Sequence, residues 1–128
     1  MKQKLPFLVI GTLCLVYVLH IVAIVLRLYW TSWWFDEIVH ALAGFSVGLS
    51  YLMFRSYFSW LEKSVGAGTA LILGVFIVGV SWEVFEWYAG LASVHIEGYW
   101  LDTSMDVIAD MLGGIAAYKY FKKHDINS

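Results

Sequence analysis

Four apolar runs of about twenty residues, near Leu5–Leu28, Asp36–Phe54, Gly68–Gly90 and Asp102–Phe121, occupy most of this chain. A helix rises about 1.5 Å per residue, so each run matches the roughly 30 Å hydrocarbon thickness of a bilayer. The 128 residues are 61% hydrophobic and only 14% charged, too little polar surface to cover a soluble domain of this size. Lipid is the solvent that fits such a chain. No run alternates with the two-residue period of a barrel strand. The expected fold is therefore all-α: a single domain over residues 1–128, built as a four-helix transmembrane bundle. Short connections make neighbouring helices antiparallel.

Lys2 and Lys4 before an apolar stretch resemble the start of a signal peptide. The stretch is too long for a signal core and no small-x-small cleavage site follows it, so a retained first span is expected. Pro6 suits the first turn of that helix. In a four-span arrangement Lys2, Lys4, Arg55, Lys63, Lys119, Lys122 and Lys123 fall on one side, with only Arg27 near the other. The positive side is cytoplasmic, which puts both termini inside and the loops Tyr29–Phe35 and Leu91–Leu101 outside. Trp30, Trp33, Trp34, Trp87, Tyr88, Tyr99 and Trp100 gather at that outer face as an interfacial belt. A formal charge of -2 and the lack of a basic block exclude nucleic acid as a partner. The lone Cys14 supports neither a disulfide framework nor a cysteine metal site.

Ionisable groups inside hydrocarbon need a partner, a cavity or a function. Asp36 and His40 open the second run, Glu83 and Glu86 lie late in the third, and Asp102, Asp106 and Asp110 open the fourth. In the four-span arrangement all of them share the outer half of the membrane. Four-residue spacing aligns Asp36, His40, Gly44 and Gly48 on one helix face, and Asp102, Asp106, Asp110 and Gly114 on another. Gly79, Glu83, Glu86 and Gly90 share a face of the third helix. The glycines allow close helix approach, so the acidic faces should converge. If all were anionic these groups would repel strongly, and a bound cation, shared protons or a basic partner must relieve them.

A divalent metal ion is the simplest relief: carboxylate oxygens with one or two imidazoles suit Zn, Mn, Fe or Mg, the excess of oxygen favouring the harder ions. The expected inner ligands are His40, Glu83, Glu86, Asp106 and Asp110, with Asp36 and Asp102 as outer or entry groups. Glu83 or Glu86, left free of the ion, is the candidate catalytic base. His20 lies level with Asp110, and Arg27 on the same broad face could hold a phosphate or carboxylate of a lipid substrate.

Plainer readings stand beside these. Asp36 and Asp102 each begin a run, where capping and the helix dipole favour an anion. His20 reads equally as a hydrogen-bonded core histidine, and Arg27 as a snorkelling interfacial residue. Glu37 is an interfacial side chain, while His95 and Glu97 sit in a loop, solvated. Capping does not reach Glu83, Glu86, Asp106 or Asp110.

At these positions the chain resembles the YjdF-like and VanZ-like group of small bacterial integral membrane proteins. The shared pattern is Asp36-x3-His40, then Glu83 and Glu86, then Asp102-x3-Asp106-x3-Asp110-x2-Gly113, covering roughly Phe35 to Gly114. The resemblance implies a multi-pass protein of the bacterial inner membrane in a cell-envelope setting, since VanZ-like proteins are linked to glycopeptide resistance. Asp110 departs from the Asn common in VanZ-like chains and adds negative charge.

The function expected from these features is an outward-facing, metal-dependent membrane hydrolase acting on a lipid or cell-envelope precursor. Membrane lipid and a lipid-linked substrate are the expected partners, and a homo-oligomer is compatible with the sequence. Two other classes remain open: a proton- or cation-coupled transporter subunit, and a structural or accessory protein whose acids share protons. Only Thr12, Ser46, Ser50 and Thr69 could carry a relay through the inner half.

Overall fold

A computed structural model describes residues 2–58, 66–90 and 97–125, and among them the chain is helical throughout, with no strand. Lys63 and His95 lie outside the described residues. A 3-10 turn at Lys2–Lys4 leads into α1 (Leu5–Val25), followed by a short α2 (Leu28–Thr31), α3 (Trp33–Tyr57), α4 (Ala67–Tyr88) and α5 (Tyr99–Asp125).

The ends of these helices follow local chemistry. Pro6 occupies the first turn of α1, where its missing N–H removes no helical bond. Arg27 takes the left-handed conformation at φ 55°, which stops α1 at Val25, short of the Leu28 expected from hydropathy, and turns the chain into α2. Gly90 supplies the positive φ after α4. Gly98, also at positive φ, accepts the amides of Leu101 and Asp102 at the start of α5. α3 and α5 begin earlier than the apolar runs suggest, at Trp33 and Tyr99, because aromatic residues extend the helix upstream of each aspartate. Asp36 and Asp102 thus stand inside first turns, favoured by the dipole. Ser32 is the N-cap residue of α3, and its side chain makes no capping hydrogen bond.

α3 is the central helix, packed most closely on α5 and also on α1 and α4. Two glycine contacts set the α3–α5 approach. A Cβ on Gly44 would collide with the backbone of Asp110, and one on Gly113 with the carbonyl of Ala41. Small apolar cores lie at the end of the helices far from Asp36. Leu5, Val9, Leu49 and Ala117 form one, and Leu52, Leu71 and Val75 the other. α1 and α4 each pack on α3 but barely meet one another.

α1, α3 and α4 are long and apolar enough to cross a membrane. α5 is not among them, because Asp102, Asp106 and Asp110 at one end and Lys119, Lys122 and Lys123 at the other interrupt its apolar length.

Candidate functional site

His40 is the hub of the acidic constellation. The four-residue step of α3 places it one turn beyond Asp36 and one turn before Gly44. Its Nδ1 lies 3.3 Å from Asp110 Oδ2 on α5. Its Nε2 lies 3.7 Å from Asp36 Oδ1 and 4.0 Å from Glu83 Oε1 on α4. His40, Glu83, Asp106 and Asp110 are each no more than 6% exposed. Four ionisable side chains buried to this degree require compensation from one another or from a ligand.

The glycine pattern makes this arrangement fit. A Cβ on Gly79 would stand 2.7 Å from Asp110 Oδ2, so the Asp110 carboxylate occupies the space that glycine leaves on α4. One turn on, the same face of α4 delivers Glu83. Glu83 Oε1 has no hydrogen-bond partner, the only buried side-chain oxygen or nitrogen of that kind among the described residues. One donor atom each from Asp36, His40 and Asp106 lies within 4.8 Å of the others. Ligands held about 2.1 Å from an ion are at most roughly 4.2 Å apart, so these three would close by about half an ångström around one.

The remaining candidates stand further out. Glu86 is half-buried and accepts a hydrogen bond of 2.8 Å from Trp82 Nε1 one turn back. Asp102 is exposed. Arg27 is exposed as well, at the left-handed turn before α2. His20 Nδ1 lies 2.7 Å from the Tyr29 hydroxyl, which makes it the hydrogen-bonded histidine of the plainer reading while keeping it beside the site.

A cavity of about 310 Å³ adjoins the acidic cluster, floored by α3 and walled by α1 and α4. His20, Tyr29, Asp36, His40, Glu86 and Asp110 line its polar end. Tyr29 and Trp82 also line it, and sequence spacing did not single them out as site residues. The one signal for Trp82 is its place one turn before Glu86; Tyr29 has none, because it sits across a turn. Burial holds the Tyr29 hydroxyl well above the ordinary phenol range, and the nearby carboxylates of Asp36 and Glu86 push it further the same way. It therefore stays a hydrogen-bond donor at every physiological pH.

The donor set is chemically suited to a hard or borderline divalent ion. With Nδ1 of His40 donating to Asp110, the lone pair of Nε2 is directed at Asp36 and Glu83. Carboxylate-oriented imidazoles at metal centres have this arrangement.

No curated protein and no solved structure matches the chain. A family match does exist, and it spans residues 1–125, covering every helix described above. It shows kinship to a membrane-protein family without itself carrying the YjdF-like or VanZ-like name. A chain with three membrane-length apolar helices and a match of that extent belongs to the family described as "Predicted membrane protein (DUF2238)".

Proposed function

We propose that this protein is a four-helix integral membrane protein, both termini cytoplasmic, whose outward-facing site binds a divalent metal ion and hydrolyses a lipid or cell-envelope precursor. The observation that carries the proposal is the orphaned Glu83 Oε1 beside the Asp36–His40–Asp106 trio. A buried carboxylate oxygen without a donor is costly, and a cation is the partner that fits four converging side chains of this kind.

Asp36, His40 and Asp106 would hold the ion. Asp110 fixes the His40 ring through Nδ1, and the free oxygen of Glu83 either completes the ligand set or takes a proton from the attacking nucleophile. Bound there, a divalent ion supplies Lewis acidity. Tyr29, kept protonated, can donate a hydrogen bond to a substrate oxygen entering from the cavity. The bacterial inner membrane is the proposed location, and the YjdF-like and VanZ-like resemblance supports an envelope setting.

The transporter alternative fares less well on the geometry. The hydroxyls of Ser46 and Ser50 donate to Leu42 and Ser46 carbonyls of their own helix, and Thr12 does the same to Leu8 and Val9. Three of the four hydroxyls that a relay would need are thus engaged within their own helices.

Elemental analysis of protein purified without chelator tests the proposal. Wild type is expected to hold one equivalent of a divalent metal, and the double variant Asp36→Asn/Asp106→Asn none. A wild-type protein free of stoichiometric metal would overturn it.

A further inference from the structure

The cavity beside the acidic cluster has a composition of its own. Leu13 and Val16 of α1, Val47 of α3, and Val75 and Val78 of α4 line one end of it. Tyr29, Asp36 and Glu86 line the other. From Asp36 to Val47 the cavity follows α3 for about 16 Å at 1.5 Å per residue. Because α1 and α4 pack on α3 but barely on each other, it opens sideways between them, with Tyr17 and Val78 exposed along its rim. In a bilayer that opening faces hydrocarbon. A volume of about 310 Å³ is at the small end of the roughly 300–1,000 Å³ typical of ligand pockets, room for one hydrocarbon chain and not two.

The polar end is predominantly acidic. The carboxylates of Asp36, Glu86 and Asp110 line the cavity beside the imidazoles of His20 and His40, and no Lys or Arg does among the described residues. Arg27, on the neighbouring turn, is exposed and takes no part in the lining. Two aromatic rings, Tyr29 and Trp82, stand beside these carboxylates. Trp82 also holds Glu86 in place through its N–H. Carboxylates combined with aromatic faces recognise ammonium groups, by ion pairing and by attraction of the cation to the ring. A phosphate or carboxylate head would meet repulsion instead.

We infer that this cavity binds a single-chain amphiphile with an amine or quaternary ammonium head. Its chain lies along Val16, Val47 and Val75, and its head sits beside Glu86 against Tyr29 and Trp82. The inference goes beyond the metal reading and does not depend on it. An ion held by Asp36, His40 and Asp106 would leave Glu86 and Asp110 to set the sign of the cavity.

Native mass spectrometry of the full chain, released from a neutral detergent, tests this with three probes: dodecyltrimethylammonium, dodecyl sulfate and tailless tetramethylammonium. The expected result is one saturable dodecyltrimethylammonium per chain, bound at least about tenfold more tightly than the sulfate, with tetramethylammonium weak. Glu86→Gln, which leaves the three metal ligands in place, should erase the preference for the cation. Val47→Trp, which fills the floor, should abolish adducts of both chain-bearing probes, with thermal unfolding as the check on folding. If that variant does not fold, Val78→Trp at the rim makes the same test. Equal binding of the two head groups, or binding that survives a folded cavity-filling variant, overturns the inference. Metal content measured on the same samples separates the two readings. Metal-free protein that still selects the cation sinks the metal site alone, and metal-loaded protein indifferent to head charge sinks the amphiphile alone.

Discussion

His40 on α3 and Asp110 on α5 meet through Nδ1 and Oδ2 at 3.3 Å, at the level where glycines on two helices make room for the aspartate. The contact joins helix packing to site chemistry. The Asp110 backbone lies against Gly44, and its carboxylate fills the space beside Gly79. The helix approach that buries the acids is therefore the same approach that orients the imidazole.

Gly44→Ala should consequently damage both. The added methyl meets backbone rather than a yielding side chain, so α3 and α5 must separate, at a cost of about 1–3 kcal/mol or more. Gly11→Ala is the control, since nothing lies within 4 Å of a Cβ there and alanine is the better helix former by about 1 kcal/mol. Thermal unfolding in detergent should show a lower midpoint for the first and an unchanged or higher one for the second. Equal midpoints would mean that the α3–α5 interface tolerates a wider spacing.

Chelation supplies a second expectation. A ligand that binds only the folded state stabilises it by about 2.7 kcal/mol at a hundredfold excess over its Kd. EDTA should therefore lower the unfolding midpoint of wild type and leave Asp36→Asn/Asp106→Asn unmoved. Asp102→Asn, changed at an exposed position, should respond like wild type. A wild-type midpoint insensitive to EDTA would count against a resident ion.

Helical periodicity explains how much of this was readable beforehand. The four-residue steps Asp36–His40–Gly44 and Asp106–Asp110, with Gly79–Glu83, define faces within single helices, and the structure brings those faces together around His40. What periodicity does not encode is competition and crossing. Glu86 shares a helix face with Glu83, yet Trp82 one turn back captures its carboxylate. Tyr29 reaches His20 only because Arg27 reverses the chain with a positive φ, and such a turn leaves no spacing to read. The cavity arises from α1 and α4 diverging on α3, a property of packing angles. The family match is continuous over residues 1–125 and does not distinguish the site from its frame.

Tyr29 gives the system an alkaline signature. Burial, reinforced by Asp36 and Glu86, raises its folded-state pKa above the ordinary phenol value. Below about pH 10 the phenol is neutral in folded and unfolded chains alike, and its contribution is constant. Above that the unfolded chain releases the proton while the folded one retains it, so stability falls as pH rises. Tyr29→Phe should remove that part of the alkaline decline, and losing the hydrogen bond to His20 should cost about 1 kcal/mol at neutral pH. Denaturation curves on both sides of about pH 10 provide the measurement, and identical alkaline slopes for the two proteins would place Tyr29 outside the cavity.

Glu83 offers the sharpest separation of site from scaffold. Its Oε1 is buried without a hydrogen-bond partner, 4.0 Å from His40 Nε2. A group kept for a ligand should burden the ligand-free protein. Glu83→Gln preserves shape and removes the charge. The metal-stripped variant should unfold at a higher temperature than metal-stripped wild type, and its metal affinity should fall by about tenfold or more. The two effects have opposite signs, which a packing role does not produce. A variant that loses both stability and affinity would make Glu83 a structural residue, and one that changes neither would remove it from the site.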